Sequence, residues 1–174
     1  MNFINLVDLI QVFANEYSQP TSNVLLIGNS NIHGIFNFLN SDLIVVDNIP
    51  GPNIDFVVGK KLPFIKESFD LIICIHNIFE INEIYRVLKP QGKFICLEFS
   101  KINDLWLQKL YDLYSFKIIP KIGGLVLNDV DSYQYLVESI RVFPDQENFL
   151  QLINQAGFVN SGYQNLSCGV ACLH

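Results

Sequence analysis

The chain has 174 residues, with 11 Lys and Arg against 17 Asp and Glu for a formal charge of −6, and half of its residues are apolar. That length and apolar content suit one domain around one core and exclude a disordered chain. Without a basic cluster to release counterions from phosphate, no nucleic-acid partner is expected. No apolar run reaches the roughly 18 to 20 residues that a transmembrane segment needs. The amino terminus lacks a basic start and a small-residue cleavage site, and Asp8 and Glu16 argue against a mitochondrial presequence, so a cytoplasmic location is expected. Cys74 and Cys96 sit in apolar runs, while Cys168 and Cys172 have no second pair at metal-ligand spacing. All four read as buried reduced thiols, with no metal site.

In chain order, Phe3, Leu6, Val7, Ile10 and Phe13 form a helical stripe that Gln19-Pro20 stops. Residues 23–28 and 42–47 are continuous apolar runs that suit strands buried on both faces, and 54–58 and 70–75 repeat the pattern. Residues 31–40 suit a short helix, whereas 48–53, with Pro50, Gly51 and Pro52, are too few for a crossover helix. Ile81, Ile84, Tyr85 and Leu88 mark a helix that Lys89-Pro90-Gln91-Gly92 breaks before a strand at 93–99. From Asp104 the chain turns helical and aromatic through Trp106, Tyr111, Tyr114 and Phe116, then loops past Pro120, Gly123 and Gly124. Helices are expected at 132–142 and 145–156, the latter started by Pro144-Asp145 and stopped by Gly157. Strands at 158–163 and 170–173 close the sheet. Alternating strands and helices predict an α/β sheet whose ligands sit beyond the carboxyl ends of the strands, where the loops after Gly28, Asp47 and Ile75 converge.

A strand ending in a glycine turn, beside a strand ending in an acid, is the minimal nucleoside-binding arrangement. Backbone must approach the ligand closely, and a carboxylate takes two ribose hydroxyls. Gly28 and Asp47 supply those elements, although each also fits a plain turn or cap.

Leu88-Lys89-Pro90-Gln91-Gly92-Lys93 resembles the turn before the fifth strand of class I S-adenosylmethionine-dependent methyltransferases. Glu98-Phe99-Ser100-Lys101, Asp131-Ser132-Tyr133, Glu138-Ser139-Ile140-Arg141, Phe143-Pro144-Asp145-Gln146 and Ala156-Gly157-Phe158 are similar to the ubiquinone/menaquinone biosynthesis C-methyltransferase family. That resemblance runs from Tyr85 to His174.

The resemblance implies a class I methyltransferase, Rossmann-like mixed sheet with helices on both faces and an antiparallel final strand, reduced in its amino-terminal half. It implies one domain over 1–174: an amino-terminal helix at 1–22, a cofactor-side half at 23–100, and substrate-side helices with closing strands at 101–174. The implied reaction moves a methyl group from S-adenosylmethionine to a ring carbon of a prenylated benzoquinol or naphthoquinol. The implied cofactor residues are Gly28, Asn31, Asp47, Val58, Gly59 and Ile75, and the implied substrate residues Tyr114, Tyr133, Arg141 and Asn165. The first-strand turn departs from the family pattern: Leu26 stands at its acid, Ser30 and Ile32 at two glycines, and Asn31 at its threonine. Phe79-Glu80 replaces an Arg-Asn that in the family activates a water as base, which leaves His76 as the candidate proton acceptor. A catalytically inactive family remnant, binding a quinone precursor or a partner protein, is the alternative. Peripheral membrane contact, a homodimer and a quinone-biosynthesis complex are the assemblies considered. The bland readings make Arg141 a partner for Asp145 and leave His174 exposed.

Overall fold

The computed structural model describes residues 22–28, 42–75, 80–102, 106 and 140–174. Its seven strands are β1 (Asn23–Ile27), β2 (Asp42–Asp47), β3 (Phe56–Val57), β4 (Phe69–Ile75), β5 (Leu88–Phe99), β6 (Gln164–Leu166) and β7 (Ala171–Leu173). They form one sheet in the order β3-β2-β1-β4-β5-β7-β6. The first five are parallel to one another, and β7 lies antiparallel between β5 and β6. This is the mixed α/β sheet with an antiparallel final strand that the sequence predicts.

Period-two alternation explains why the central strands are apolar throughout. Leu25, Ile27, Val46, Ile72, Cys74 and Cys96 face one cluster, and Val24, Leu26, Val45, Leu71, Ile73 and Leu97 face another. A strand covered on both faces has no position where a polar side chain is favoured. The described helices, α1 (Ile81–Val87) and α2 (Gln146–Gln155), pack on the first face through Ile84, Val87, Phe149 and Ile153. Asp145 caps α2, accepting from Asn148 N at 2.9 Å, and Gly157 follows it at φ 106°. Start and stop thus fall where the sequence places them.

Arg86 ties α1 to the segment before β4. Its guanidinium donates to Phe64 O at 2.7 Å and Leu62 O at 3.0 Å, and meets the Glu83 carboxylate at 2.9 and 2.8 Å. Those bonds hold Glu83 below the ordinary carboxylate range against some desolvation. A single ammonium cannot reproduce this fork. Arg86→Lys is therefore expected to lower the unfolding free energy by about 1–2 kcal/mol, read from the denaturant midpoint.

Three expectations change. The strand beginning at 93 extends back to Leu88, because the Lys-Pro-Gln-Gly turn is absorbed as an irregularity in the β4–β5 ladder between Phe69 and Leu71. Gly92 makes that turn possible, since a Cβ there would lie 2.9 Å from Lys89 O. The strand expected at 158–163 is irregular instead, and pairing starts at Gln164. Phe158 serves the core by stacking on Tyr85 and Phe94, at ring separations of 5.1 and 5.4 Å. Lastly, β3 is confined to two residues, because the Asp55 carboxylate takes Val45 N at 2.8 Å where a backbone carbonyl would extend the ladder.

The amino-terminal stripe, the short helix at 31–40, the aromatic segment after Asp104 apart from Trp106, and most of the helix at 132–142 lie outside the described residues.

Candidate functional site

The carboxyl ends of β1, β2, β3 and β4 are neighbours in the sheet, so the residues that follow them share one edge. Gly28 closes β1 at φ 82° and donates its N–H to Val46 O at 2.9 Å. An L side chain is strained in that conformation, which accounts for glycine here. Asp47 ends β2 half-buried, and its Oδ1 accepts Asn48 N at 2.7 Å. Val58 N donates to Asp47 O at 2.8 Å, which seats Gly59 next to that carboxylate's strand. A Cβ built on Gly59 would meet no atom within 4 Å.

The side chains of Val58 and Ile75 are buried, in clusters on opposite faces of the sheet. Each offers the edge its backbone. An exposed glycine with open space above it, a glycine turn at positive φ, and a half-buried acid on the adjoining strand fit a nucleoside-bearing ligand. Asn31 and His76 lie outside the described residues.

The expected substrate residues stand apart from that group. Asn165 is on β6, three strands beyond β4 in the sheet order and so about 14 Å away at the usual strand spacing. Its Oδ1 accepts from Gln146 Nε2 at 2.9 Å, and the same Gln146 amide donates to Lys101 O at 2.9 Å. The start of α2, the end of β5 and β6 are thereby joined at one point. Arg141 is exposed at the end of a helical segment spanning 140–142. Tyr114 and Tyr133 lie outside the described residues.

One group at this edge has no role in the sequence reading. Glu98, opposite Cys172 in the β5–β7 ladder and one row from Leu97, is only 8% exposed. Burial pushes its carboxyl up to about 7, partly opposed by the Phe99 backbone N–H. An acid inside the apolar run from Ile95 to Phe99 was the available signal. A carboxyl titrating near neutrality suits proton transfer.

Cys74, Cys96 and Cys172 are free and buried, and burial raises their thiols, Cys172 to about 11, so they are inert. Cys168 is a correction: it is exposed, in a turn at φ 61°. His174 is a second correction. Its ring packs edge-on against Phe149 at 4.7 Å and beside Tyr163 at 5.6 Å, because the β5–β7 pairing carries the chain past Cys96 over α2. No group of three or more His, Cys, Asp or Glu among the described residues is placed to hold a metal ion.

Residues 40–174 match the profile of the ubiE/COQ5 methyltransferase family. The ubiquinone/menaquinone biosynthesis C-methyltransferase UbiE of Ruegeria sp. (strain TM1040) is 51% identical over 130 residues, which are 70% of this chain and 52% of that protein. The mitochondrial 2-methoxy-6-polyprenyl-1,4-benzoquinol methylase of Mus musculus is 48% identical over 123 residues, 67% of this chain and 38% of that protein. The chain thus spans about half the length, or less, of these curated relatives. Among solved structures, a SAM-dependent methyltransferase from Methanosarcina mazei superposes with a TM-score of 0.59 at 14% identity, covering 92% of this chain and 93% of that one. A SAM-dependent methyltransferase from Aquifex aeolicus gives 0.58 at 12% identity, covering 94% and 85%. At such identities the likeness is one of fold.

Proposed function

The chain belongs to the ubiE/COQ5 methyltransferase family, and we propose that it transfers a methyl group from S-adenosylmethionine to a ring carbon of a prenylated benzoquinol or naphthoquinol. The observation that carries this reading is the family match over 40–174, which spans β2 to β7 and every described candidate residue except Gly28.

Bound at the edge described above, S-adenosylmethionine supplies an electrophilic methyl group on a sulfonium. Asp47 accepts the ribose hydroxyls, while the Gly28 turn and the open face of Gly59 let backbone lie against the nucleoside. The backbone of Val58 and Ile75 would complete that wall, and the family resemblance adds Asn31 to the cofactor residues. Arg141 and Asn165, with Tyr114 and Tyr133, frame the quinol ring and its hydroxyls. A ring hydroxyl must lose its proton for the neighbouring carbon to become nucleophilic, and His76, just past β4, takes it. Glu98, at the end of β5, is a further candidate acceptor, its carboxyl pushed up to about 7 by burial. Holding the two reactants in line contributes about 7–11 kcal/mol of barrier reduction before any proton moves.

No described helix is long and apolar enough to cross a membrane. A prenylated acceptor partitions into lipid, so the protein meets it by peripheral contact with the bilayer.

The test is transfer of isotope-labelled methyl to a short-prenyl 2-methoxy-1,4-benzoquinol. Label recovered on the ring is the expected result. No label, from protein that still binds S-adenosylhomocysteine, contradicts the reading.

A further inference from the structure

Gln146 is the first residue of α2, yet its side chain is buried and bonds only to groups outside the helix. We propose that Gln146 is a positioning residue for the acceptor quinol. It holds the Asn165 amide with Nδ2 outward, as a donor to a ring oxygen of the substrate, a role that rests on the methyl-transfer reading above.

The orientation follows from the partners. A backbone carbonyl only accepts, so the 2.9 Å contact with Lys101 O requires Gln146 to present its NH2 group there. The same Nε2 lies 2.9 Å from Asn165, and an NH2 group only donates, so the Asn165 atom that faces it is Oδ1. A flip of the Asn165 amide would set donor against donor. Nδ2 is thereby turned away from Gln146, on an exposed residue, with no partner among the described residues.

The surroundings keep Gln146 in place. Asp145 caps α2 immediately before it. Ser100 N, one residue before Lys101, donates to Val170 O at 3.0 Å. Between β6 and β7, Ser167, Cys168 and Gly169 all have positive φ, at 48°, 61° and 93°. This turn lies over the Gln146 contact, since a Cβ on Gly169 would sit 3.3 Å from Lys101 O and 3.8 Å from Gln146 Nε2. Left-handed backbone at successive non-glycine residues persists only where the surrounding structure imposes it, and it concentrates at ligand-binding sites.

The outward donor stands in a useful row. Asn165 and Glu98 pair with Cys172 from opposite sides, so the three side chains share one face of the sheet. Two strand spacings, about 10 Å, separate Asn165 from that candidate proton acceptor. When a ring hydroxyl loses its proton, negative charge develops on its oxygen. A donor already aimed at that oxygen stabilises the charge without reorganising, whereas an outward Oδ1 would repel it.

The test uses the full chain with labelled S-adenosylmethionine and the short-prenyl 2-methoxy-1,4-benzoquinol. Asn165→Asp keeps the oxygen that Gln146 holds but replaces the outward donor with an acceptor, so kcat should fall by about tenfold or more, as in Asn165→Ala. Gln146→Met should lower kcat by a similar factor while the S-adenosylhomocysteine Kd stays within about twofold, and should cost nothing further when added to Asn165→Ala. Wild-type kcat in Asn165→Asp overturns the proposal, as do losses that multiply in the double variant. Side-chain amide NMR of the wild type reads the same arrangement without turnover. The Gln146 NH2 should be protected from hydrogen exchange and the Asn165 NH2 unprotected, and 2-methoxy-1,4-benzoquinone, whose oxygens only accept, should shift the Asn165 signal. That NMR result from protein that transfers no methyl group supports the positioning and contradicts the methyl-transfer reading. A protected Asn165 NH2, or one that the quinone leaves unmoved, overturns the proposal whatever the turnover.

Discussion

Replacing Glu98 with Gln is expected to raise the unfolding free energy at pH 8 by about 3 kcal/mol and to leave it unchanged near pH 4. Burial moves this carboxyl from 4.5 to about 7 in the folded protein. Between those values the unfolded chain has released the proton and the folded chain still holds it. Stability therefore falls as pH rises through that window, and the Gln variant escapes the loss. His174 acts in the opposite sense. Its burial lowers the imidazole from 6.5 to about 4, so over that range the unfolded chain binds the extra proton and stability rises with pH. Each slope is about 1.4 kcal/mol per pH unit, and in the wild type the two cancel between pH 4.5 and 6.5. Glu98→Gln removes one of them and exposes the other. Its unfolding free energy should climb by about 3 kcal/mol more than that of the wild type from pH 4 to 6.5. Denaturant titrations at half-unit intervals of pH check this, and parallel profiles for the two proteins would refute it.

Asp47→Ala is expected to weaken S-adenosylhomocysteine binding by about 10- to 100-fold, or roughly 1.5–3 kcal/mol, the range for losing hydrogen bonds to a charged group. The carboxylate ends β2 half-buried, next to the Gly28 turn on β1, where a ribose lies if the edge binds a nucleoside. Asp47→Asn keeps the shape and the accepting oxygen and should recover part of the loss. Either substitution leaves in place the Asp47 backbone oxygen that holds Val58 N, and an unshifted thermal transition reports an intact fold. An unchanged Kd in the Ala variant places the ribose elsewhere.

The sheet was legible in the sequence because its four central strands are buried on both faces. Runs such as Leu71 to Ile75 must then be apolar at every position, and being far shorter than an ordinary helix they read as strands. The cap at Asp145 and the stop at Gly157 were legible because each answers a local need, a donor to satisfy and a left-handed φ to adopt. What the sequence hid depends on contacts between distant segments. His174 reads as an exposed end until the antiparallel pairing with β5 brings it against Phe149. Phe158 reads as part of a strand until Tyr85, 73 positions earlier, accounts for its apolarity. The site divides in the same way. Gly28 and Asp47 were visible because both end apolar runs, whereas Glu98 acquires its raised pKa only from neighbours on other strands.

Central to this account is that the edge formed by Gly28, Asp47 and Gly59 still holds a nucleoside, although Ser30 and Ile32 replace glycines of the family's turn. Calorimetric titration with S-adenosylhomocysteine tests that most directly. One site per chain, with a micromolar Kd that Asp47→Ala weakens, is the result expected. No heat at millimolar ligand, from protein with an intact thermal transition, would contradict it.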